Sequence, residues 1–248
     1  MGDSGKTRDP RSPAPSDVPP QDRAMRSWRA VCAFLILTVS ALAADLLSKH
    51  YVFRELTPSD EVLAVRIDDM QIRAQADDRI ARKLDSREML HHLDLRRPVC
   101  PGLDFVLSAN KGAVFGMELH ESGSVHRMIV SAATLIVTIL MTWWFATSHR
   151  RAWWTHLSTA LILAGALGNL YDRMASRIEL PGMEPILYNV RDFLDCSSVP
   201  LPFGFSYKWI FNVADVWLVV GVAMMMLHWA AAMFDTRKQD PRTEAGGS

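Results

Sequence analysis

The sequence has 248 residues with 27 basic and 27 acidic side chains, and 49% of its residues are hydrophobic. The balanced charge and the lack of a basic patch with interleaved aromatic residues exclude a nucleic-acid-binding protein. An ordinary soluble domain is also excluded, because the hydrophobic residues are concentrated in four blocks instead of being spread along the chain.

The chain begins with residues 1–24, which are rich in Pro, Ser, Asp and Arg and contain almost no large apolar side chains. Such a composition cannot bury enough apolar surface to offset the entropy lost on folding, so we predict that this segment is disordered. The tail at 236–248 has the same character and carries the same prediction. Residues 25–235 then form the predicted membrane domain.

Four apolar segments predict four transmembrane helices, because each has about the length that crosses a bilayer core of roughly 30 Å. The first segment has a second reading, since its basic start and the small residues Ala41 and Ala43 also suit a cleavable signal peptide. The apolar pattern continues beyond that point, which favours a retained helix. The four segments are 30–47, 128–146, 153–171 and 216–234.

Clusters of Lys and Arg close to the ends of the spans indicate the orientation, because such residues are enriched in cytoplasmic loops. An even number of spans puts both termini on one side, and three clusters agree that this side is the cytoplasm. The long connections at 48–127 and 172–212 are therefore predicted to face outward. The clusters are Arg23, Arg26 and Arg29 before the first span, His149 to Arg151 in the second loop, and Arg237 and Lys238 after the last span.

The first outward connection contains an unusually charged stretch at about 57–100. The alternation of apolar and polar residues from Val62 to Ile67 predicts a short strand. An amphipathic surface helix is predicted by the near-helical spacing of Ile80, Leu84, either Met89 or Leu90, and Leu93. His91 and His92 lie on that helix, where adjacent side chains point apart, so we expect a solvated face and not a metal site.

The next segment, "GLDFVLSANKGAVFGM", predicts a strand that runs into a glycine-containing turn. The predicted fold class is therefore an all-α membrane protein. It has four transmembrane helices, a small extracytoplasmic β-containing element and an inserted charged loop or helix.

Polar side chains gather at the outward ends of the spans, where each is costly unless it has a partner or a function. Asp45 and Lys49 share a helix face at positions i and i+4, which a simple ion pair at the membrane surface would also explain. Asn169 lies inside the third apolar run, and Asp172 follows on the same helix face with Arg173 beside it. An ion pair accounts for Asp172 and Arg173 but leaves Asn169 unexplained.

The stretch "FNVAD" at the start of the last span permits two interpretations. Asn212 is a favourable N-cap residue, and an acid three positions later resembles a capping box. Alternatively, Asp215 is present for its chemistry. The two interpretations are compatible, because the cap would fix the direction in which Asp215 points.

Five stretches occur in a set order around the four spans and together resemble the lipoprotein signal peptidases, the type II signal peptidases of bacteria. The resemblance covers about 45–235. It implies an aspartic endopeptidase that removes the signal peptide of diacylglyceryl-modified prolipoproteins just before the lipidated cysteine, without a cofactor or a metal. The stretches are "DLLSK", "NKGAVFG", "GALGNLYDR", "VRDF" and "FNVAD".

The resemblance implies that Asp192 of "VRDF" and Asp215 of "FNVAD" are the catalytic pair. Two carboxylates held close in a poorly hydrated site share a proton, so one can deprotonate a water while the other supports the oxyanion. At the helix ends we expect the pairs Asp45–Lys49 and Asp172–Arg173. The residues implied to bind substrate or to support the pair are Asp45, Lys49, Asn110, Gly112, Asn169, Asp172, Arg173, Asn212 and Ala214.

The resemblance also implies the setting of the reaction. The partners are diacylglyceryl-prolipoprotein substrates, whose acyl chains would lie in the membrane lipid between the spans. The protein is expected to be a monomer in the bacterial cytoplasmic (inner) membrane. Both termini would be cytoplasmic, and the active site would lie on the extracytoplasmic side.

Two stretches depart from the family pattern. The connection that contains 57–100 is longer than is typical, and we expect this insertion to decorate the outer surface without contacting the chemistry. The stretch between Arg173 and Asp192 is also extended, which leaves Asp195 as an alternative match for the catalytic acid. Asp172 is a second alternative that the sequence leaves open.

The competing functional class is a small transporter or assembly factor that binds an ion or a partner inside the membrane. It predicts polar residues near the middle of several spans, whereas these middles are apolar and the polar residues cluster at one face. The peptidase is therefore favoured. Cys100 and Cys196 both fall on the outward side, where a disulfide is permitted, and the sequence leaves their pairing open.

Overall fold

The computed structural model describes residues 18–76, 86–111, 123–199 and 209–238. The four predicted spans all fall within long helices, and each helix extends beyond its apolar segment at one or both ends. Two shorter helices lie between the first and second spans. The helices are α1 (Trp28–Leu56), α2 (Asp60–Ala76), α3 (Ser86–Leu93), α4 (Gly123–Thr147), α5 (Trp153–Ala175) and α6 (Val213–Lys238).

Three helices in the described ranges are long and apolar enough to cross a membrane, namely Trp28–Leu56, Arg127–Thr147 and Val213–Met233. The remaining predicted span, α5, has 23 residues and buries polar side chains such as His156 and Thr159. It packs against α1, α4 and α6. Because protein covers much of α5, its sequence need not be as apolar as that of a lipid-exposed helix.

Two glycines allow the close packing of α5 on its neighbours. A Cβ atom on Gly165 would overlap the carbonyl oxygen of Ala214, and a Cβ atom on Gly168 would overlap the carboxylate of Asp45. Small residues at such positions let helix backbones approach closely in membranes. At Gly168, the missing side chain leaves the space that the Asp45 carboxylate occupies.

The strands form two antiparallel sheets. The larger has the order β1-β2-β5-β6, and the smaller pairs β3 with β4. The strand predicted at "GLDFVLSAN" is confirmed as β2, while the turn predicted after it lies outside the described residues. The strands are β1 (Arg96–Cys100), β2 (Leu103–Asn110), β3 (Arg177–Ile178), β4 (Ile186–Leu187), β5 (Val190–Asp195) and β6 (Ile210–Phe211).

The register of the larger sheet brings distant motifs together. Ser108 on β2 pairs with Asp192 on β5, and Asp195 pairs with Ile210 on β6. Only Asn212 separates β6 from α6. The sheet therefore holds β5 beside the first turn of the last span.

The stretch from Val62 to Ile67 lies in α2, so the predicted strand is wrong. Leu63 and Ile67 are both buried, as residues four apart on one helix face can be. In a strand Val65 would point the same way as these two residues, yet it is 62% exposed. The apolar residues at positions 63 and 67 therefore mark one face of a helix, and their even spacing also fitted the alternation expected of a strand.

Helix α3 confirms the end of the predicted amphipathic helix. Leu90 and Leu93 are buried, whereas His91 and His92 are exposed, as a solvated face requires. The other two residues of the predicted pattern, Ile80 and Leu84, lie outside the described residues.

The insertion shares a hydrophobic core with the strands, which corrects the expectation that it decorates the surface. Leu63 from α2 and Leu90 from α3 lie in one buried cluster with Leu107 on β2 and Phe193 on β5. Phe193 directly follows Asp192, and successive residues of a strand point to opposite faces. The insertion therefore covers the back of the strand that carries Asp192.

Residues 18–24 are ordered, although their composition predicts disorder. This part of the chain forms two short 3-10 turns, Pro20–Asp22 and Ala24–Arg26. Ala24 is fully buried, and its N–H donates to the carbonyl of Ser148 over 2.9 Å. Contacts with the α4–α5 loop thus order a segment that could not fold by itself.

Cys32, Cys100 and Cys196 are all free thiols. Cys100 ends β1, and Cys196 follows β5, so the two lie along opposite sides of β2. No disulfide joins Cys100 and Cys196 in the structure.

Candidate active site

Asp192 points from β5 into a buried pocket of amides and is only 2% exposed. Its Oδ2 accepts a hydrogen bond from Nδ2 of Asn110 at 2.9 Å, and its Oδ1 accepts one from Nδ2 of Asn212 at 2.6 Å. Burial raises the pKa of Asp192 to about 7, and the negative charge of Asp215 acts in the same direction. The site thus holds a carboxyl group that can keep its proton near neutral pH.

Asp215 lies in the first turn of α6 and is held by a reciprocal cap. Its Oδ2 accepts from the backbone N–H of Asn212 at 3.1 Å, and its own N–H donates to Oδ1 of Asn212 at 3.1 Å. This is the capping-box geometry that the sequence predicts. The other carboxylate oxygen, Oδ1, accepts from Nδ2 of Asn169 at 2.8 Å. The cap therefore fixes the direction of Asp215.

Asn212 connects the two acids. Its backbone N–H binds Asp215, and its side-chain Nδ2 donates both to Oδ1 of Asp192 and, at 3.1 Å, to Oδ1 of Asn169. The residue is fully buried. One asparagine therefore sets the relative position of β5 and the first turn of α6.

Lys49 is the fully buried cation beneath the acids. Its ammonium group lies 2.7 Å from Oδ2 of Asp45 and 3.0 Å from Oδ2 of Asp172, and it donates to Oδ1 of Asn169 at 3.2 Å. These contacts use all three of its N–H donors. Because Lys49 requires an oxygen at Asn169, the amide of Asn169 must turn its NH₂ group toward Asp215.

The pair Asp45–Lys49 that the sequence predicts is thus confirmed, and Asp45 also accepts a hydrogen bond from α6. Its Oδ1 accepts from the backbone N–H of Ala214 at 2.8 Å. Ala214 precedes Asp215, so this bond joins the C-terminal half of α1 to the first turn of α6. The role of Ala214 rests on its backbone, which is fully buried.

Asp172 has partners other than the one predicted. Nε and Nη2 of Arg191 donate to its Oδ1 at 2.9 and 2.7 Å, and the backbone N–H of Arg191 donates to its Oδ2 at 3.1 Å. Together with Lys49, Arg191 surrounds Asp172 with positive charge. The predicted pairing of Asp172 with Arg173 is therefore wrong, because the helix turns Asp172 inward to meet α1 and β5.

Arg191 is a residue that the sequence reasoning missed. Its position directly before Asp192 drew no attention to it, because nothing in the local spacing points to Asp172, which lies 19 residues earlier in the chain. Arg191 binds α5 through Asp172 and thereby ties the strand that carries Asp192 to the membrane helices.

Arg173 lies in the last turn of α5, within electrostatic reach of Asp215 and Asp192. Its Nη1 donates to the backbone carbonyl of Asn169 at 3.3 Å. Its Nε is buried and lacks a hydrogen-bond partner among the residues that the structure describes. The remaining predicted site residue, Gly112, lies outside those residues.

A family model and individual relatives of known family give the same family for this chain. A family model described as signal peptidase (SPase) II matches residues 37–231. The chain is 30% identical over 150 residues to the lipoprotein signal peptidase of Teredinibacter turnerae, covering 60% of this chain and 77% of that protein. It is 34% identical over 132 residues to the lipoprotein signal peptidase of Aquifex aeolicus, covering 53% of this chain and 68% of that protein.

One solved structure has a similar fold. It is a bacterial membrane enzyme determined by the in meso method, with a TM-score of 0.51 and 20% sequence identity. The match covers 85% of this chain and 93% of that structure. At this identity the similarity concerns the fold alone.

Proposed function

This chain belongs to the signal peptidase II family, and from that premise we propose that it is an aspartic endopeptidase whose catalytic pair is Asp192 and Asp215. As a family member it is a protease that removes signal peptides from prolipoproteins. The proposed cleavage lies just before the diacylglyceryl-cysteine, at the outer face of the bacterial cytoplasmic membrane. The proposed reaction uses an activated water and needs no cofactor.

The observation that carries this proposal is the bridging position of Asn212. Through its side chain it binds Asp192, and through its backbone and side chain it caps Asp215. A strand carboxyl and a helix carboxyl are thereby held around one amide, at the outward end of the bundle. Such a pair can share one proton, which belongs to both acids.

The two alternative acids have other partners. Asp172 faces the cations Lys49 and Arg191, so its oxygens are occupied by ion pairs. Asp195 lies 3.2 Å from Nη1 of Arg96 and accepts from the N–H of Ser197 at 2.8 Å. An odd separation along β5 turns Asp195 to the face opposite Asp192. These contacts support structural roles for both residues.

The proposed reaction begins when the ionised member of the pair removes a proton from water, and the water oxygen attacks the scissile carbonyl carbon. The carbonyl π electrons move to its oxygen, which the protonated acid supports by a hydrogen bond. The C–N bond then breaks, and the leaving nitrogen takes the proton held by the pair. The buried guanidinium Nε of Arg173 has a donor to offer a peptide carbonyl near the pair.

The membrane arrangement is part of the proposal. A helix of 23 residues spans about 34 Å, so α5 is long enough to be the fourth span beside the three apolar helices. With four spans, the arginines near both ends of the chain lie in the cytoplasm and the pair of acids faces outward. We propose that the protein acts as a monomer in the inner membrane, with substrate acyl chains in the surrounding lipid.

The experiment that tests this function is cleavage of a purified diacylglyceryl-prolipoprotein by the full chain in detergent, with mass spectrometry of both products. We expect one cut before the lipidated cysteine, insensitive to a metal chelator. A prolipoprotein that lacks the diacylglyceryl group is the matched control and should be cut at least tenfold more slowly. Cleavage elsewhere, or equal cleavage of both substrates, would contradict the proposal.

The pH dependence gives a second prediction. Because burial and Asp215 raise the pKa of Asp192 to about 7, the pair loses its shared proton as the pH rises past that value. We expect kcat/KM to fall above pH 7 by up to about tenfold per pH unit. The hydrogen bond from Asn110 lowers the pKa of Asp192, so Asn110→Leu should move this decline to higher pH. A shift to lower pH would contradict the assignment.

A further inference from the structure

Five arginines lie together at the end of the bundle opposite the catalytic pair, and we call Arg23, Arg26, Arg29, Arg150 and Arg151 the arginine platform. Arg23 and Arg26 precede α1, Arg29 lies in its first turn, and Arg150 and Arg151 lie in the loop between α4 and α5. Asp45 is seventeen residues beyond the start of α1, which corresponds to about 25 Å along the helix axis. The mechanism makes no use of this platform.

Backbone contacts hold the two halves of the platform side by side. The N–H of Ala24 donates to the carbonyl of Ser148 at 2.9 Å, and the N–H of Arg150 donates to the carbonyl of Asp22 at 2.8 Å. Beneath them, the rings of Phe34 and Phe145 stack with centroids 3.8 Å apart. The arginines therefore project from a packed base.

The platform is strongly positive and has little internal compensation. Within residues 18–29 and 148–154 the only acid is Asp22, which lies 3.3 Å from Nη2 of Arg150. Arg26, Arg29 and Arg151 are exposed, and the described residues offer them no carboxylate. The N-termini of α1 and α5 add the positive ends of two helix dipoles.

Exposed tryptophans put this surface at the level of the lipid headgroups. Trp28 is 72% exposed and Trp153 is 57% exposed. Arg29 lies over the ring of Trp28, 5.7 Å from its centroid, and Trp153 stacks on Trp154. Tryptophan is enriched where membrane and water meet, because one part of its ring system prefers lipid and its N–H prefers a polar partner.

We propose that the arginine platform binds the phosphate groups of anionic phospholipids in the cytoplasmic leaflet. Guanidinium groups bind phosphate through two parallel hydrogen bonds, and basic clusters between membrane helices on the cytoplasmic side suit anionic headgroups. A lipid, and not a soluble anion, fits the tryptophans that flank the charges. This binding is separate from peptide cleavage, so either can fail without the other.

The test is a titration of the full chain in detergent with phosphatidylglycerol or phosphatidylcholine, with bound lipid counted by native mass spectrometry. We expect phosphatidylglycerol to bind at least tenfold more tightly. In the variant R26Q/R29Q/R150Q/R151Q this preference should disappear. The variant R54Q/R66Q/R97Q/R177Q removes four arginines from other parts of the chain and should keep the wild-type preference.

Prolipoprotein cleavage and the thermal unfolding midpoint report whether the platform variant is folded, and both should match the wild type. Equal binding of the two lipids by the wild type would overturn the proposal. So would a preference that survives in the platform variant. Displacement of phosphatidylglycerol by an equal concentration of inorganic phosphate would overturn it as well, because the site would then belong to a soluble anion.

Discussion

Replacing either Asp192 or Asp215 by asparagine should lower kcat for prolipoprotein cleavage by about 10²- to 10⁴-fold. An amide cannot accept the proton of the attacking water, and it cannot share a proton with the remaining acid. Each asparagine would keep one oxygen for its neighbouring amide donors, so the fold should survive. The measurement is single-turnover cleavage together with the thermal unfolding midpoint.

Asp195→Asn is the matched control, because Asp195 lies on the same strand and is also buried. Its contact with Arg96 is on the opposite face, so we expect kcat within about tenfold of the wild type. Asp172→Asn should lower the unfolding midpoint, because it weakens the contacts with Lys49 and Arg191. Its effect on kcat should be smaller than that of Asp192→Asn or Asp215→Asn. Near-normal cleavage by folded Asp192→Asn, with loss in either control, would reassign the catalytic acid.

Replacing Lys49 by methionine should lower both the thermal unfolding midpoint and kcat. The substitution leaves Asp45 and Asp172 without their shared buried cation, and breaking a buried ion pair typically costs about 3–5 kcal/mol. It also removes one of the two donors that hold Oδ1 of Asn169 and leaves only Nδ2 of Asn212, so the NH₂ group of Asn169 is held less firmly toward Asp215. We expect a lower unfolding midpoint and kcat reduced by about 10²-fold.

A second variant separates these two effects. Lys49→Met combined with Asp45→Asn removes one charge of each sign and should recover part of the lost stability. It does not restore the second donor to Oδ1 of Asn169, so kcat should stay low although the protein is folded. Recovery of full kcat in the double variant would show that Lys49 acts only on stability and does not position Asp215.

The contacts of the site suggest how a pair of acids can be kept in a membrane protein. Lys49 and Arg191 compensate Asp45 and Asp172 through ion pairs below and beside the proposed catalytic acids. Asp192 receives only neutral amide donors from side chains. The amide hydrogen bonds and the charge of Lys49 lower the pKa of Asp192, but burial and the charge of Asp215 outweigh them. This division of partners suits a shared proton on the proposed pair.

The insertion packs against the strand that carries Asp192. Phe193 is 2% exposed and lies in the cluster with Leu63 and Leu90, directly behind Asp192. The charge pattern of 57–100 did not predict this packing, because the charged residues mark the exposed side of the segment. The apolar residues of this segment that meet the strands include Leu63, Ile67, Leu90 and Leu93, all of which are buried.

The sequence by itself determined the four long helices, the strand β2 and the cap between Asn212 and Asp215. Each of these depends on residues that are close together in the chain, so local spacing and side-chain type suffice. The family motifs led to the proposed pair of acids, and the matched family model confirms the family.

Only the tertiary structure decided which side chains become partners. Lys49 meets Asn169 from 120 residues away, and Arg191 replaces Arg173 as the partner of Asp172. The order of residues 18–24 and the helical form of α2 likewise depend on surfaces that other elements supply. Such contacts are selected by the packing of whole elements against one another, and a pattern read along one segment contains no information about the surface that will cover it.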